Sequence, residues 1–179
     1  MSDALPPWPQ VPACYGWLSL DARGNWRLKD EAVDHPGLIA FLNTHYACDD
    51  EGCWLVNNGP QRVFVKLERA PLIVRLHPGQ RPLAHTSRQV EPRGDVLIDA
   101  LGRPHFDTDS GPASIDDRDL ASFLDELTLR DGRAPTDDEI LALTSAGRRP
   151  ELLWRGLTLR PSADADIPDR LGYRREPKE

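Results

Sequence analysis

Trp54–Leu76 reads WLVNNGPQRVFVKLERAPLIVRL, and its three short runs of Val, Ile, Leu, Phe and Trp decide the fold class. Trp54–Val56, Arg62–Leu67 and Pro71–Leu76 are separated by Asn57-Asn58-Gly59-Pro60 and by Glu68-Arg69-Ala70, both turn material. The spacing predicts a three-stranded antiparallel meander. Val63, Val65 and Leu67 alternate with Arg62, Phe64 and Lys66, and Leu72, Val74 and Leu76 alternate with Ile73 and Arg75. One face of the meander is therefore apolar and must be covered, while the other is mixed. On that second face Arg62, Phe64, Lys66 and Arg75 would form a cationic surface around an aromatic platform, suited to a small anionic ligand or a protein partner. A solvated strand face accounts for the same residues without any ligand.

Upstream of this stretch, Tyr15–Leu20 and Trp26–Leu28 read as a hairpin about the turn Asp21-Ala22-Arg23-Gly24-Asn25. A helix is predicted from about His35 to Tyr46, with Asp34 as N-cap, Pro36 in the first turn and an apolar stripe of Leu38, Ile39, Phe41 and Leu42. Downstream, residues 79–94 gather Pro and Gly and lose periodicity, as a linker or long loop does. The order of elements then restarts. Val96–Ile98 is an apolar strand leading into an Asp99-Ala100-x-Gly102 turn, and Leu120, Phe123, Leu124 and Leu127 repeat the helix stripe. Thr136 and Glu139 form a capping-box pair for a further helix stopped by Gly147, and Leu152–Arg160 reads as a last strand.

The expected architecture is α+β, with two related units, each a strand hairpin plus helix plus antiparallel meander, an arrangement open to internal duplication. Its parts are residues 1–14, a Pro-rich extended arm that Trp8 tucks against the body; 15–78, the first unit; 79–94, the linker; 95–161, the second unit; and 162–179, a loosely held tail.

A chain of 179 residues buries roughly 70% of its unfolded surface and needs no covalent staple. The formal net charge of −7 argues against nucleic acid and membrane surfaces as partners, because counterion release requires clustered positive charge. No stretch approaches the ~20 apolar residues of a membrane span, and Met1–Gln10 lacks a signal-peptide pattern. Three cysteines in a chain of this size fit reduced thiols and a cytoplasmic location.

Chemistry-bearing residues are few. His45, Cys48 and Cys53, with Cys14 from a distance, could supply metal ligands, but one pair straddling a turn lacks the repeated knuckle of a structural zinc site. The cysteines are therefore read as free thiols, Cys48 and Cys53 as small buried hydrophobes at a helix end and a strand start, and no metal or cofactor is expected. Asp99, His105, Asp107 and Asp109 form the one acid/base or metal-like group, whereas Asp116, Asp117 and Asp119 sit at a helix start, where acidic residues serve the macrodipole. There is no phosphate loop, no Gly-x-Ser-x-Gly elbow and no His-Glu-x-x-His, so no catalytic residue is assigned.

Two stretches carry a family resemblance. Pro9–Leu18 is Pro-x-Val-Pro-x-Cys-Tyr-Gly-Trp-Leu, Asp21–Trp26 is Asp-Ala-Arg-Gly-x-Trp, and Asn58–Val63 is Asn-Gly-Pro-Gln-Arg-Val. In these motifs, which cover the N-terminal half, the chain resembles a bacterial family with no assigned activity, the domain-of-unknown-function 2944/2946 series. In its Trp-turn, helix and strand order that half is also similar to the domain-of-unknown-function 1285 family. That resemblance implies a fold of repeated α+β motifs and a role in signalling. Neither family supplies a catalytic residue. The expected function is a non-enzymatic module that binds a small ligand or a protein; the alternatives are an enzyme using carboxylate and histidine in the second unit, or an oligomeric assembly protein.

Overall fold

The computed structural model describes residues 9–145 and 147–179, and the expected burial of Trp8 lies outside them. The first sheet is built from β1 (Ala13–Leu20), β2 (Trp26–Leu28), β3 (Glu31–Ala32), β4 (Tyr46–Cys48), β5 (Trp54–Asn58) and β6 (Gln61–Leu67), with α1 (Pro36–His45) between β3 and β4. Its strand order is β3-β2-β1-β6-β5-β4. All neighbours are antiparallel except β1 and β6, which run parallel. The Asp21 carboxylate makes the β1–β2 turn by accepting from the N–H groups of Arg23 and Asn25, each at 2.9 Å. His35, not Asp34, caps α1, its Nδ1 accepting from Leu38 N at 3.2 Å.

The second sheet contains β7 (Leu72–Arg75), β8 (Leu83–Ala84), β9 (Pro92–Ile98), β10 (Pro104–Thr108), β11 (Ala113–Ile115), β12 (Leu127–Leu129), β13 (Leu152–Trp154) and β14 (Leu157–Pro161). Short helices α2 (Leu120–Asp125), α3 (Asp137–Leu141) and α4 (Ile167–Leu171) accompany it. The order is β12-β13-β14-β9-β10-β11-β7-β8. Its first six positions repeat the sequence β4-β5-β6-β1-β2-β3 of the first sheet, again with one central parallel pair, β9 with β14. The Asp99 turn also repeats the Asp21 turn, its carboxylate accepting from Leu101 N at 2.9 Å and Arg103 N at 3.0 Å. This is a likeness of topology and turn chemistry and says nothing of descent.

Three expectations are corrected. The predicted meander does not form, because β7 leaves β6 and enters the second sheet between β11 and β8. Both edges of β6 are already taken, by β1 and β5, so no edge remains for a third strand. Leu72, Ile73 and Val74 are all buried, as in a strand covered on both faces, and such a run has no alternation to honour. Leu152–Arg160 is a hairpin rather than one strand, turned by Arg155 and Gly156 at φ 49° and 82°. The tail is not loosely held: Ile167, Tyr173 and Pro177 are buried, and Tyr173 donates its hydroxyl to the Arg69 carbonyl at 2.8 Å.

Both sheets contribute to one continuous core, which includes Leu18, Trp26, Val56, Val63 and Val65 from the first and Val96, Phe106 and Trp154 from the second, with Leu42 of α1 and Phe123 of α2. Leu38, Ile39 and Phe41 of α1 pack against it. Among the described residues no helix is long and apolar enough to cross a membrane.

Candidate binding face

The other face of the first sheet carries a second, smaller apolar cluster of Cys53, Leu55 and Phe64, with Tyr15 packed against it. Strand alternation produces this: Val63 and Val65 enter the core, which turns Phe64 outward beside Arg62 and Lys66. The parallel partner β1 brings Tyr15 alongside. Between Cys14, opposite Val63, and Leu18, opposite Val65, β1 spends four residues where β6 spends two, and the bulge is relieved by Gly16 at φ 73°. Tyr15 and Phe64 stack with ring centroids 4.4 Å apart and planes inclined by 3°. Phe64 is only 5% exposed.

Charges flank the stack. The Arg62 guanidinium carbon lies 5.1 Å from the Phe64 centroid, and Arg62 Nη2 donates to Asp49 Oδ2 at 3.0 Å. Asp49 is itself fixed by its turn, where its carboxylate accepts from Glu51 N at 3.0 Å and Cys53 N at 2.8 Å. On the other side Lys66 Nζ is 3.6 Å from Glu176 Oε1. A hollow of about 340 Å³ opens beside Arg62, bounded by Asp49, Glu51, Cys53 and Lys178, and another of about 310 Å³ opens beside Lys66, bounded by Glu176 and Pro177.

Three of the four residues expected on this surface are thus together. Arg75 is not among them. It lies on β7 in the second sheet, where Nε and Nη2 donate to Asp119 at 2.6 and 3.1 Å, and Asp119 also accepts from Leu76 N at 2.9 Å. Burial opposes charge on Asp119, but the Arg75 and Leu76 hydrogen bonds outweigh it and hold the carboxyl below its ordinary range. Tyr15, Asp49 and Pro177 were missed by sequence reasoning. The alternation of β1 puts Tyr15 opposite in sense to Cys14, but nothing local records that β1 pairs with β6.

The acid/base candidates divide. Asp99 and His105 meet, Oδ2 to Nε2 at 3.2 Å, and Arg103 Nε donates to the same oxygen at 2.6 Å. Asp164 comes within 4.8 Å of both, held by Arg175 at 2.6 and 3.0 Å. Asp107 and Asp109 stand apart and exposed, Asp109 accepting from Glu91 N at 2.9 Å. Burial opposes ionisation of Asp99, yet the bonds from His105 and Arg103 prevail and keep its carboxyl far below the usual range. Burial also pushes the His105 imidazole down, towards the neutral form. With Arg103 and Arg175 already neutralising the carboxylates, little negative charge is left to hold a cation. Asp116 grips Arg118 at 2.6 Å and Asp117 grips Arg23 at 3.0 Å, so the acids at the helix start form ion pairs. The cysteines do not converge: Cys14 lies in the main core, Cys53 in the outer cluster, and Cys48 is exposed.

A family model for a protein of unknown function (DUF2946), named DUF2944, matches residues 1–178. Among solved structures, a DUF1285 family protein from Silicibacter pomeroyi DSS-3 is 15% identical, over 87% of this chain and 82% of that one, with a TM-score of 0.51. A DUF1285 family protein from Shewanella baltica OS155 is 13% identical over 62% of this chain and 91% of that one, with a TM-score of 0.42. At such identities the likeness to the first of these is one of fold. No curated protein matches the chain. The family match runs through both sheets and the tail, and the protein belongs to the DUF2944 family, whose function is unknown.

Proposed function

We propose that the chain is a non-enzymatic binding module that takes an extended peptide of a protein partner on the outer face of its first sheet. The observation that carries this reading is the Tyr15–Phe64 stack, set between the Arg62–Asp49 and Lys66–Glu176 pairs with a hollow on either side. Aromatic platforms edged by polar groups suit extended peptides, since the rings supply contact area at low entropic cost. A small anion is less well served. Asp49, Asp50 and Glu51 line the same hollow as Arg62, so an isolated negative charge would meet more repulsion than attraction there. A peptide bearing both signs matches the mixture. The enzyme alternative places its chemistry at Asp99 and His105, which are 1% and 0% exposed, sealed from any substrate.

The test is panning of the immobilised protein against a random heptapeptide library, followed by calorimetric titration of the enriched sequences. Enrichment that is lost with Tyr15→Ala, in a variant whose melting temperature is kept, supports the reading. A nucleotide or other small anion that raises the melting temperature by several degrees, and fails to do so in the Arg62→Gln, Lys66→Gln double variant, refutes it in favour of an anion site.

A further inference from the structure

The chain's own residues 174–179, Arg-Arg-Glu-Pro-Lys-Glu, end at the face described above, and residues 176–179 line its hollow beside Lys66. The two halves of this segment are held differently. Arg174 N donates to the Gly52 carbonyl at 2.9 Å, and its Nε to the Glu51 carbonyl at 3.1 Å. The Arg175 carbonyl accepts from Leu67 N at 2.7 Å, and its guanidinium grips Asp164 and the Arg69 carbonyl. Beyond Arg175 the polar contacts among the described residues are two ion pairs between well-exposed side chains, Lys66 with Glu176 at 3.6 Å and Lys178 with Glu176 at 3.9 Å. Such pairs contribute little. Pro177 is nevertheless buried, and it walls one side of the hollow that Tyr15, Phe64 and Lys66 wall on the other. Proline suits this seat: its ring fixes φ, and it restrains Glu176 to extended backbone, so the segment arrives ordered at little entropic cost.

We infer that residues 176–179 are a displaceable strap seated as the partner's peptide is seated, and that the partner presents an extended segment whose proline takes the place of Pro177 beside Tyr15 and Phe64, with an acidic residue before it against Lys66. This rests on the binding-face reading above and adds the class of peptide and its regulation. A tethered strap acts at an effective concentration of order millimolar, so it lowers the affinity of a competing peptide without altering the site itself. Only a partner of higher affinity, or one arriving in quantity, opens the face.

The experiment compares the full chain with a chain truncated after Arg175, both checked by circular dichroism and melting temperature, in titrations with a fluorescently labelled Arg-Glu-Pro-Lys-Glu pentapeptide. The truncated chain should bind it saturably, on the order of ten-fold more tightly than the full chain does, and lose it with Tyr15→Ala. Full-length Pro177→Asp should give the same gain, which keeps the test intact if truncation impairs folding. A folded truncated chain or Pro177→Asp variant that binds the pentapeptide no better than the full chain, or that binds regardless of Tyr15, overturns the strap. So does a full chain that is dimeric and becomes monomeric on truncation, since the segment would then serve a second copy. Library panning of the truncated chain separates this from the broader reading. Enriched peptides that depend on Tyr15 but lack proline sink the strap and leave the binding face standing, whereas the absence of any Tyr15-dependent peptide sinks both.

Discussion

Asp99→Asn and Asp21→Asn make the same chemical change in the same turn geometry, and they should differ in cost by about 2 kcal/mol. In both turns one carboxylate oxygen accepts two backbone N–H groups, and an Asn carbonyl oxygen can do the same. The second oxygen decides the outcome. At Asp21 it accepts from Asn25 Nδ2 at 3.0 Å and, weakly, from the half-exposed Arg27 at 3.5 Å. The amide introduced by Asp21→Asn presents a donor there, Asn25 rotates its own amide to accept it, and the loss is about 1 kcal/mol. At Asp99 the second oxygen accepts from Arg103 Nε at 2.6 Å and meets His105 Nε2 at 3.2 Å. An amide N–H₂ in its place opposes the guanidinium. His105 could accept from it only by moving its proton to Nδ1, which has no partner and is sealed from water. Removing one member of a buried ion pair costs about 3–5 kcal/mol, and the remaining bond of Arg103 to Asp164 places this case at the lower end, about 3 kcal/mol. Urea unfolding with unchanged slope measures both. The pH dependence carries its own sign: the Asp99 carboxyl is depressed in the folded state, so the stability from its charge is complete above about pH 4 and is lost as the pH falls below that, a loss Asp99→Asn removes. Equal costs for the two substitutions, to within about 0.5 kcal/mol, would refute the assignment of the difference to the Arg103–His105 side of the carboxylate.

Val65→Ala, at a fully buried site beneath the binding face, should cost about 2–3 kcal/mol in urea unfolding, while Lys66→Ala, on the exposed side of the same strand, stays close to neutral. Gly24→Ala should cost about 2–4 kcal/mol, because φ is 79° and the new Cβ would stand 2.7 Å from His85 Cβ. Gly102→Ala, at φ 76° with open space around it, should cost only about 1 kcal/mol, and the pair is resolved by differential scanning calorimetry. Burial lowers the His85 imidazole to about 3, so the folded protein keeps it neutral while the unfolded chain protonates it near pH 6.5. Its contribution to stability should therefore decline on acidification from pH 6.5 towards 3, by up to roughly 1.4 kcal/mol per pH unit, and His85→Asn, which keeps an acceptor for Ile73 N, should flatten that slope.

What the sequence revealed was whatever a few neighbouring residues decide. The β5–β6 hairpin follows from Gly59-Pro60 between apolar runs, the β1–β2 turn from Asp-x-x-Gly, and the start of α3 from the Thr136–Glu139 capping box, which forms with both of its reciprocal bonds. What stayed hidden were the three parallel pairings, β1 with β6, β7 with β11 and β9 with β14, each joining strands far apart along the chain. No local residue encodes such a partner, since the ladder is made of backbone groups common to every strand. The binding face divided along the same line. Arg62, Phe64 and Lys66 share a side because alternation is local, and that much was readable. Arg75 was placed with them by assuming that β7 pairs with β6, and Tyr15 was omitted because its place depends on β1 pairing there. The tail escaped for a different reason: Ile167, Tyr173 and Pro177 are single buried residues in polar surroundings, with neither a period of two nor one of 3.6 to betray them. A segment whose burial depends on isolated anchors rather than on a repeating stripe is also one that can leave its seat piecemeal, residues 176–179 before 164–175, because each anchor is lost separately. The feature that made the tail unreadable is therefore the same one that would let it serve as a strap.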